Sequence, residues 1–169
     1  SIANFWPIKD HISLIKAIEL LVLDGITDIQ LKLIGTGEKL QFCKNYVKNH
    51  NLSTFVFFEK ERSHDLINSF YNEIDLFVLS SYYEASACVL MEAWATETPI
   101  LSIKNQGISE LIPEYEINNL LADEKSPISL KEKILGEYHR KRSYPFDEKY
   151  DIKNTIKEFM NYSFFKSDD

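Results

Sequence analysis

The sequence predicts a doubly wound, Rossmann-like α/β domain, a parallel sheet of about six strands with helices on both faces. Two observations predict it. Apolar runs of strand length, rich in β-branched and aromatic residues, alternate with longer segments of helical period. The 169 residues, 44% hydrophobic and 27% charged, also suit one soluble domain that buries enough surface to need neither metal nor disulfide staples.

The expected strands are Ile2–Phe5, Ile29–Ile34, Thr54–Phe58, Ile74–Leu79, Pro99–Ile103 and Asn119–Leu121. Between the first two, Asp10 can cap a helix whose Ile12, Ile15, Ile18 and Val22 recur at helical spacing until Gly25 ends it. Glu38–Asn49 is the second helix, with Leu40, Cys43, Tyr46 and Val47 inward, and Ser63 can cap a third that carries Leu66, Ile67 and Phe70. Ala87–Ala95 reads as a short helix with Leu90, Met91 and Trp94 facing the core. Ser126 before Pro127 starts another that runs to about Tyr138, because proline costs nothing where the first helical N–H has no partner anyway. A last helix is expected over Asp151–Tyr162, with a frayed tail over residues 163–169. No repeat or low-complexity stretch interrupts the pattern, and the whole reads as a single domain, 1–169.

Nineteen basic side chains stand against 26 acidic ones, a net charge of −7 and a pI near 5.2. That balance is the reverse of the basic face a phosphate-backbone binder carries, so nucleic acid is not an expected partner. Cys43 and Cys88, 45 positions apart, fit a reducing cytoplasm and are expected as buried free thiols rather than a bridge or a zinc site. No run approaches a membrane span, and no start resembles a signal peptide. The chain opens Ser1-Ile2-Ala3-Asn4-Phe5, a strand already under way without an initiator Met, and is expected to be a piece of a longer protein.

In a doubly wound sheet, ligands bind beyond the carboxyl ends of the strands. Of the loops there, the one from Ser80 to Ser86 is densest in polar and small residues, and it runs directly into a helix start. Small residues let a ligand approach the free N–H groups around Ala87–Val89, an anion site suited to a diphosphate. Glu84 precedes that turn and Glu92 lies on the helix's second turn. Two carboxylates would repel phosphate, so they are read as acceptors for sugar or ribose hydroxyls, and phosphate plus polyol means a nucleotide sugar. Spacing alone would not single them out. With sixteen glutamates, Glu116 with Glu124 and Glu124 with Glu132 show the same separation, and what distinguishes the pair is a strand end before one and a helix beneath the other.

From Ser81 to Ile112 this pair is followed by Glu97-Thr98-Pro99-Ile100 and then Gln106-Gly107-Ile108-Ser109-Glu110-Leu111-Ile112. That order resembles the donor-binding half of retaining glycosyltransferases of the GT-B fold, the glycosyl transferases group 1 family. Ile2-Ala3-Asn4-Phe5-Trp6-Pro7-Ile8-Lys9-Asp10-His11, Ile34-Gly35-Thr36-Gly37-Glu38 and Ile74-Asp75-Leu76-Phe77-Val78-Leu79-Ser80-Ser81 look like that family's first loop, second loop and approach to the acidic motif. The resemblance implies a C-terminal domain whose N-terminal, acceptor-binding partner domain is absent. Glu84 would hold the transferred sugar's hydroxyls, Glu92 the ribose diol, and the backbone of Ala85, Ser86, Ala87, Cys88 and Val89 would meet sugar and diphosphate. Lys9 would pair with the diphosphate as charge develops on the leaving nucleotide, so Glu84 and Lys9 are the catalytic candidates. Phe58, Glu59 and Lys60 match the base-contacting segment, through backbone atoms.

The sequence departs from the family at three places. Asn4 stands where it usually has an arginine sharing the diphosphate, and it can offer only a neutral hydrogen bond. Ala85 replaces a usual glycine, and Glu97-Thr98 a glycine-containing turn. No cofactor is implied, and no metal: His11, His50, His64 and His139 lack ligand spacing, as do the aspartates. Gly35-Thr36-Gly37 has Leu40 where a dinucleotide fingerprint wants its third glycine and reads as a structural turn. His139-Arg140-Lys141-Arg142 reads as a solvated end; Trp6 and Trp94 are expected to pack, Trp6 alternatively facing a domain cleft. The implied activity is transfer of a sugar from a nucleotide diphosphate sugar to a saccharide or lipid-linked acceptor in bacterial surface polysaccharide synthesis, in the cytoplasm or at the inner membrane face through peripheral association. An epimerase or phosphorylase of the same fold, or a non-catalytic nucleotide-binding module, is the alternative.

Overall fold

A computed structural model of the chain describes residues 1–60, 69–84, 87–109, 112 and 117–140. A 3-10 turn, Pro7–Lys9, leads into α1, His11–Leu23; β1, Leu31–Ile34, is followed by α2, Leu40–Asn49, and β2, Val56–Glu59. Helix α3 is described over residues 69–72. Then come β3, Phe77–Leu79; α4, Cys88–Ala95; β4, Ile100–Ile103; two single turns, α5, Gln106–Ser109, and α6, Ile117–Leu120; β5, Leu121–Ala122; and α7, Pro127–Arg140. The strands pair in parallel, β1 with β2 and β4 between β3 and β5, as the βα alternation predicts.

Successive strand residues face opposite sides, and the burial pattern follows them. Leu31, Leu33, Val78, Leu101, Ile103 and Ala122 pack with α1, α2 and α7 into one core, while Ile34, Phe77, Leu79, Ile100 and Leu121 pack with Tyr71, α4 and Ile108 into another. Two apolar layers on opposite faces are what "doubly wound" requires.

The elements are shorter than the sequence suggests, for local reasons. The expected strand Ile2–Phe5 reduces to one bridge, Ile2 to Ile34. Beyond it the chain runs against a glycine turn: a Cβ on Gly35 would stand 2.2 Å from the Ala3 carbonyl oxygen and one on Gly37 2.8 Å from the Phe5 nitrogen. The first and second loops therefore touch backbone to backbone, which only glycine allows. Thr54 and Phe55 belong to the turn that closes α2, whose Leu52 carbonyl accepts from Phe55 and Val56. The ladder of β3 begins only at Phe77, which donates to the Pro99 carbonyl. Asn119 is helical rather than extended, and β5 starts at Leu121. Asp10 does stand at the N-cap of α1, but in a left-handed conformation, φ 44°, with its backbone carbonyl and not its carboxylate as the capping group. Ser126 caps α7 as expected, its Oγ accepting from the Ser129 N–H at 3.1 Å.

Cys43 is buried, but Cys88 is exposed, because it is the first residue of α4 and lies away from Leu90, Ala93 and Trp94. Trp94 packs, at 6% exposure, whereas Trp6 is half exposed, at 50%. Ser63, Leu66, Ile67, His64, Ala85, Ser86, Glu110, Leu111, Glu116, Lys141, Arg142, the helix expected over residues 151–162 and the tail 163–169 lie outside the described residues.

Candidate functional site

Two of the candidate residues meet in one place, although they follow strands of two separate ladders, the Ile2 bridge to β1 and β3. Lys9 ends the 3-10 turn that Pro7 initiates, and its N–H is bound to the Trp6 carbonyl at 3.0 Å. Glu84 lies in the loop after β3. Across 75 positions of sequence the Lys9 Nζ donates to Glu84 Oε1 at 2.6 Å, with side chains 24% and 10% exposed. A charged pair this short and this sheltered holds both groups in a defined geometry.

The backbone fixes the loops that carry them. Ser80 Oγ donates to the Lys9 carbonyl at 2.8 Å and the Tyr82 N–H to the Ile8 carbonyl at 3.1 Å. On the other side Asn105 Nδ2 donates to the Ser81 carbonyl at 3.2 Å, while its Oδ1 accepts from the Ile108 N–H at 3.2 Å. The loops after the Ile2 bridge, β3 and β4 are thus laced together at the carboxyl ends of their strands, the position where this architecture binds ligands.

Helix α4 rises from this place. Ala87, buried, is its N-cap, and the N–H groups of the first turn, Cys88 and Val89, lack intrahelical partners by geometry. Glu92, half-buried, takes a hydrogen bond of 3.0 Å on Oε2 from the hydroxyl of Tyr71, which also lies 3.2 Å from the Val89 carbonyl. Burial, together with the Glu92 carboxylate, pushes the Tyr71 phenol well above its usual range, so it remains a donor. Asn4 is exposed in the first loop. The Phe58 ring is partly buried, 6.0 Å from that of Phe5; Glu59 and Lys60 follow, and the Glu59 carbonyl accepts from the Gly35 N–H at 3.3 Å.

Sequence reasoning did not single out Tyr71 and Asn105, and it named Ser80 only as the start of its loop. Asn105 lies in a strand-end loop that could have been searched for amide side chains, and Ser80 directly follows β3. Tyr71 carried no such signal, because it reads as one more aromatic on a helix. Among the described residues no group of three or more His, Cys, Asp or Glu could hold a metal ion, and no helix is long and apolar enough to cross a membrane.

Comparison with known proteins places this geometry in context. The chain is 33% identical over 122 residues to an uncharacterized glycosyltransferase of Methanocaldococcus jannaschii, covering 71% of this chain and 34% of that protein. It is 28% identical over 123 residues to the lipopolysaccharide core biosynthesis glycosyltransferase LpsE of Rhizobium meliloti, covering 73% and 34%. Among solved structures, S. aureus TarM, crystallised with Fondaparinux, alpha-GlcNAc-glycerol and UDP, superposes with a TM-score of 0.80 at 20% identity, over 95% of this chain and 34% of that one. This likeness shows the shared GT-B fold. The chain spans about a third of the length of these relatives. The family model described as Glycosyl transferases group 1 matches residues 1–143, and with that much of its length aligned this chain belongs to the glycosyl transferases group 1 family.

Proposed function

We propose that this chain is the donor-binding domain of a retaining glycosyltransferase. It would bind a nucleotide diphosphate sugar and act with a second domain that holds a saccharide or lipid-linked acceptor. The observation that carries the reading is the 2.6 Å pair of Lys9 and Glu84, a cation suited to a diphosphate set against a carboxylate suited to sugar hydroxyls. On this reading the pair opens when the donor arrives: the diphosphate takes Lys9, and Glu84 turns to the sugar. The first N–H groups of α4 face the same anion, so leaving-group charge rests on Lys9 and the helix terminus rather than on a metal. Glu92 takes the ribose diol, and Phe58 to Lys60 offer backbone atoms to the base. The UDP of the TarM crystal and the lipopolysaccharide role named for the Rhizobium relative support a nucleoside diphosphate donor and a surface-polysaccharide setting, in the cytoplasm or at its membrane face.

Calorimetric titration with UDP, GDP and ADP tests this. One nucleotide is expected to bind, and Lys9→Ala to weaken it about tenfold or more, as loss of a charge-assisted contact does. Nucleotide affinity that Lys9→Ala leaves untouched would overturn the assignment. Asn4, neutral where the family has an arginine, favours a non-catalytic nucleotide-binding module as the second reading. Donor hydrolysis or sugar transfer by the full-length protein separates the two.

A further inference from the structure

We propose that Tyr71 is a positioning residue that orients the Glu92 carboxylate toward a ribose diol; this rests on the donor-site reading above. A carboxylate accepts two vicinal hydroxyls well only if its plane is fixed before they arrive, because a freely rotating glutamate loses side-chain entropy on binding. Glu92 is fixed. Its Oε2 accepts from the Tyr71 hydroxyl at 3.0 Å, and among the described residues Oε1 takes no bond, which leaves acceptor capacity for a ligand.

Tyr71 is itself immobile. Its side chain is fully buried and its ring meets Phe77 edge-on at 5.4 Å and Phe70 at 6.1 Å. Its backbone carbonyl accepts from Thr98 Oγ1 at 3.0 Å, and Thr98 lies just beyond the end of α4, the helix that carries Glu92. The hydroxyl also reaches the Val89 carbonyl, one turn below Glu92, at 3.2 Å. Tyr71 thus ties α3 to both ends of α4 and ends at the carboxylate. A tyrosine that served packing alone would not need its only polar atom on Glu92. Its raised pKa keeps the proton on the phenol oxygen throughout the pH range in which proteins are handled.

The test is the affinity ratio between a ribonucleotide and its 2′-deoxy counterpart, measured by calorimetry with UDP and dUDP, GDP and dGDP, ADP and dADP. In the unaltered chain the ratio for the preferred base is expected to be about tenfold, the value of one hydrogen bond to a charged group. Tyr71→Phe, which keeps ring and volume, should reduce the ratio to about threefold or less, because the ribonucleotide loses more than the deoxynucleotide, which retains only the 3′-hydroxyl contact; general loosening would weaken both alike. Replacing Tyr71 by 4-aminophenylalanine, which restores an N–H donor at that point, should restore the ratio and serves as the deciding variant if the phenylalanine form does not fold. Glu92→Ala should abolish the preference altogether. If Glu92→Ala abolishes it and both Tyr71 variants match the unaltered chain, the positioning role is wrong and the donor site stands. If Glu92→Ala leaves the preference intact, or no nucleotide binds, the donor-site reading fails and this inference with it.

Discussion

At the residue scale the two thiols are chemically unlike. Cys43 is buried and burial pushes its thiol up to about 11, whereas Cys88 is exposed at the first position of α4. Thiolate is the reactive form, so iodoacetamide under native conditions is expected to add one carbamidomethyl group, on Cys88, and a saturating bound nucleotide should slow it severalfold. Mass spectrometry after digestion reads both. Equal labelling of the two thiols would contradict the burial, and a labelling rate indifferent to nucleotide would count against a ligand at this terminus. Lys9, Glu84 and Glu92 stand out as candidates in the sequence because they sit in strand-end loops and a helix start, where local pattern and position coincide. The exposure of Cys88 does not, because it depends on the turn of α4 the chain enters on, and neither does the partnership with Tyr71, which depends on tertiary contact across the second core.

Three described helices close in the same way, and this uniformity makes one of them testable. After α1 the Ile26 N–H reaches the Leu21 carbonyl and Gly25 the Val22 carbonyl; after α2 Leu52 reaches Val47 and Asn51 reaches Lys48; after α4 Thr98 reaches Ala93 and Glu97 reaches Trp94. Each is a Schellman closure whose pivot is left-handed, with φ 91° at Gly25, 57° at Asn51 and 60° at Glu97. Glycine and asparagine suit that conformation, but glutamate does not, and the left-handed region costs an L-residue about 1–2 kcal/mol. Glu97 is exposed, and among the described residues its side chain makes no hydrogen bond that holds it there. Glu97→Gly should therefore stabilise the chain by roughly 0.5–1 kcal/mol after the added unfolded-state entropy of glycine is subtracted. A urea midpoint that does not rise, or falls, would show that the turn imposes no strain. The departure noted in the sequence at Glu97-Thr98 thus has a structural meaning. The types of the longer elements were legible from periodicity, but not the single turns α5 and α6, and the ends were set by hydrogen bonds to neighbouring loops, as the truncated first strand on Gly35 and Gly37 shows.

At the scale of the whole molecule, His11 connects the first loop to global stability. It is 2% exposed, stacks on Phe5 at a centroid distance of 4.0 Å, and neither ring nitrogen makes a well-formed hydrogen bond among the described residues. Burial holds its pKa down to about 4, opposed only by a weak interaction with the Ala3 backbone. The folded chain therefore keeps the ring neutral while the unfolded chain protonates it near pH 6.5. Protons bind the unfolded state preferentially between those values, so stability is full above about pH 6.5 and falls as the pH drops toward 4. Between pH 7 and 5 the loss should be about 2 kcal/mol, or roughly 4 to 8 °C in Tm. Asp10, whose carboxyl burial raises, acts oppositely nearer pH 4. The contribution of His11 is isolated by comparison with His11→Phe, which keeps the stack on Phe5 and removes the titrating nitrogens. That variant should lose about 2 kcal/mol less than the unaltered chain over the same interval. Parallel melting curves at pH 7 and 5 decide it: if the two proteins lose the same amount, His11 is protonated in the folded state and its burial is not what the fold requires.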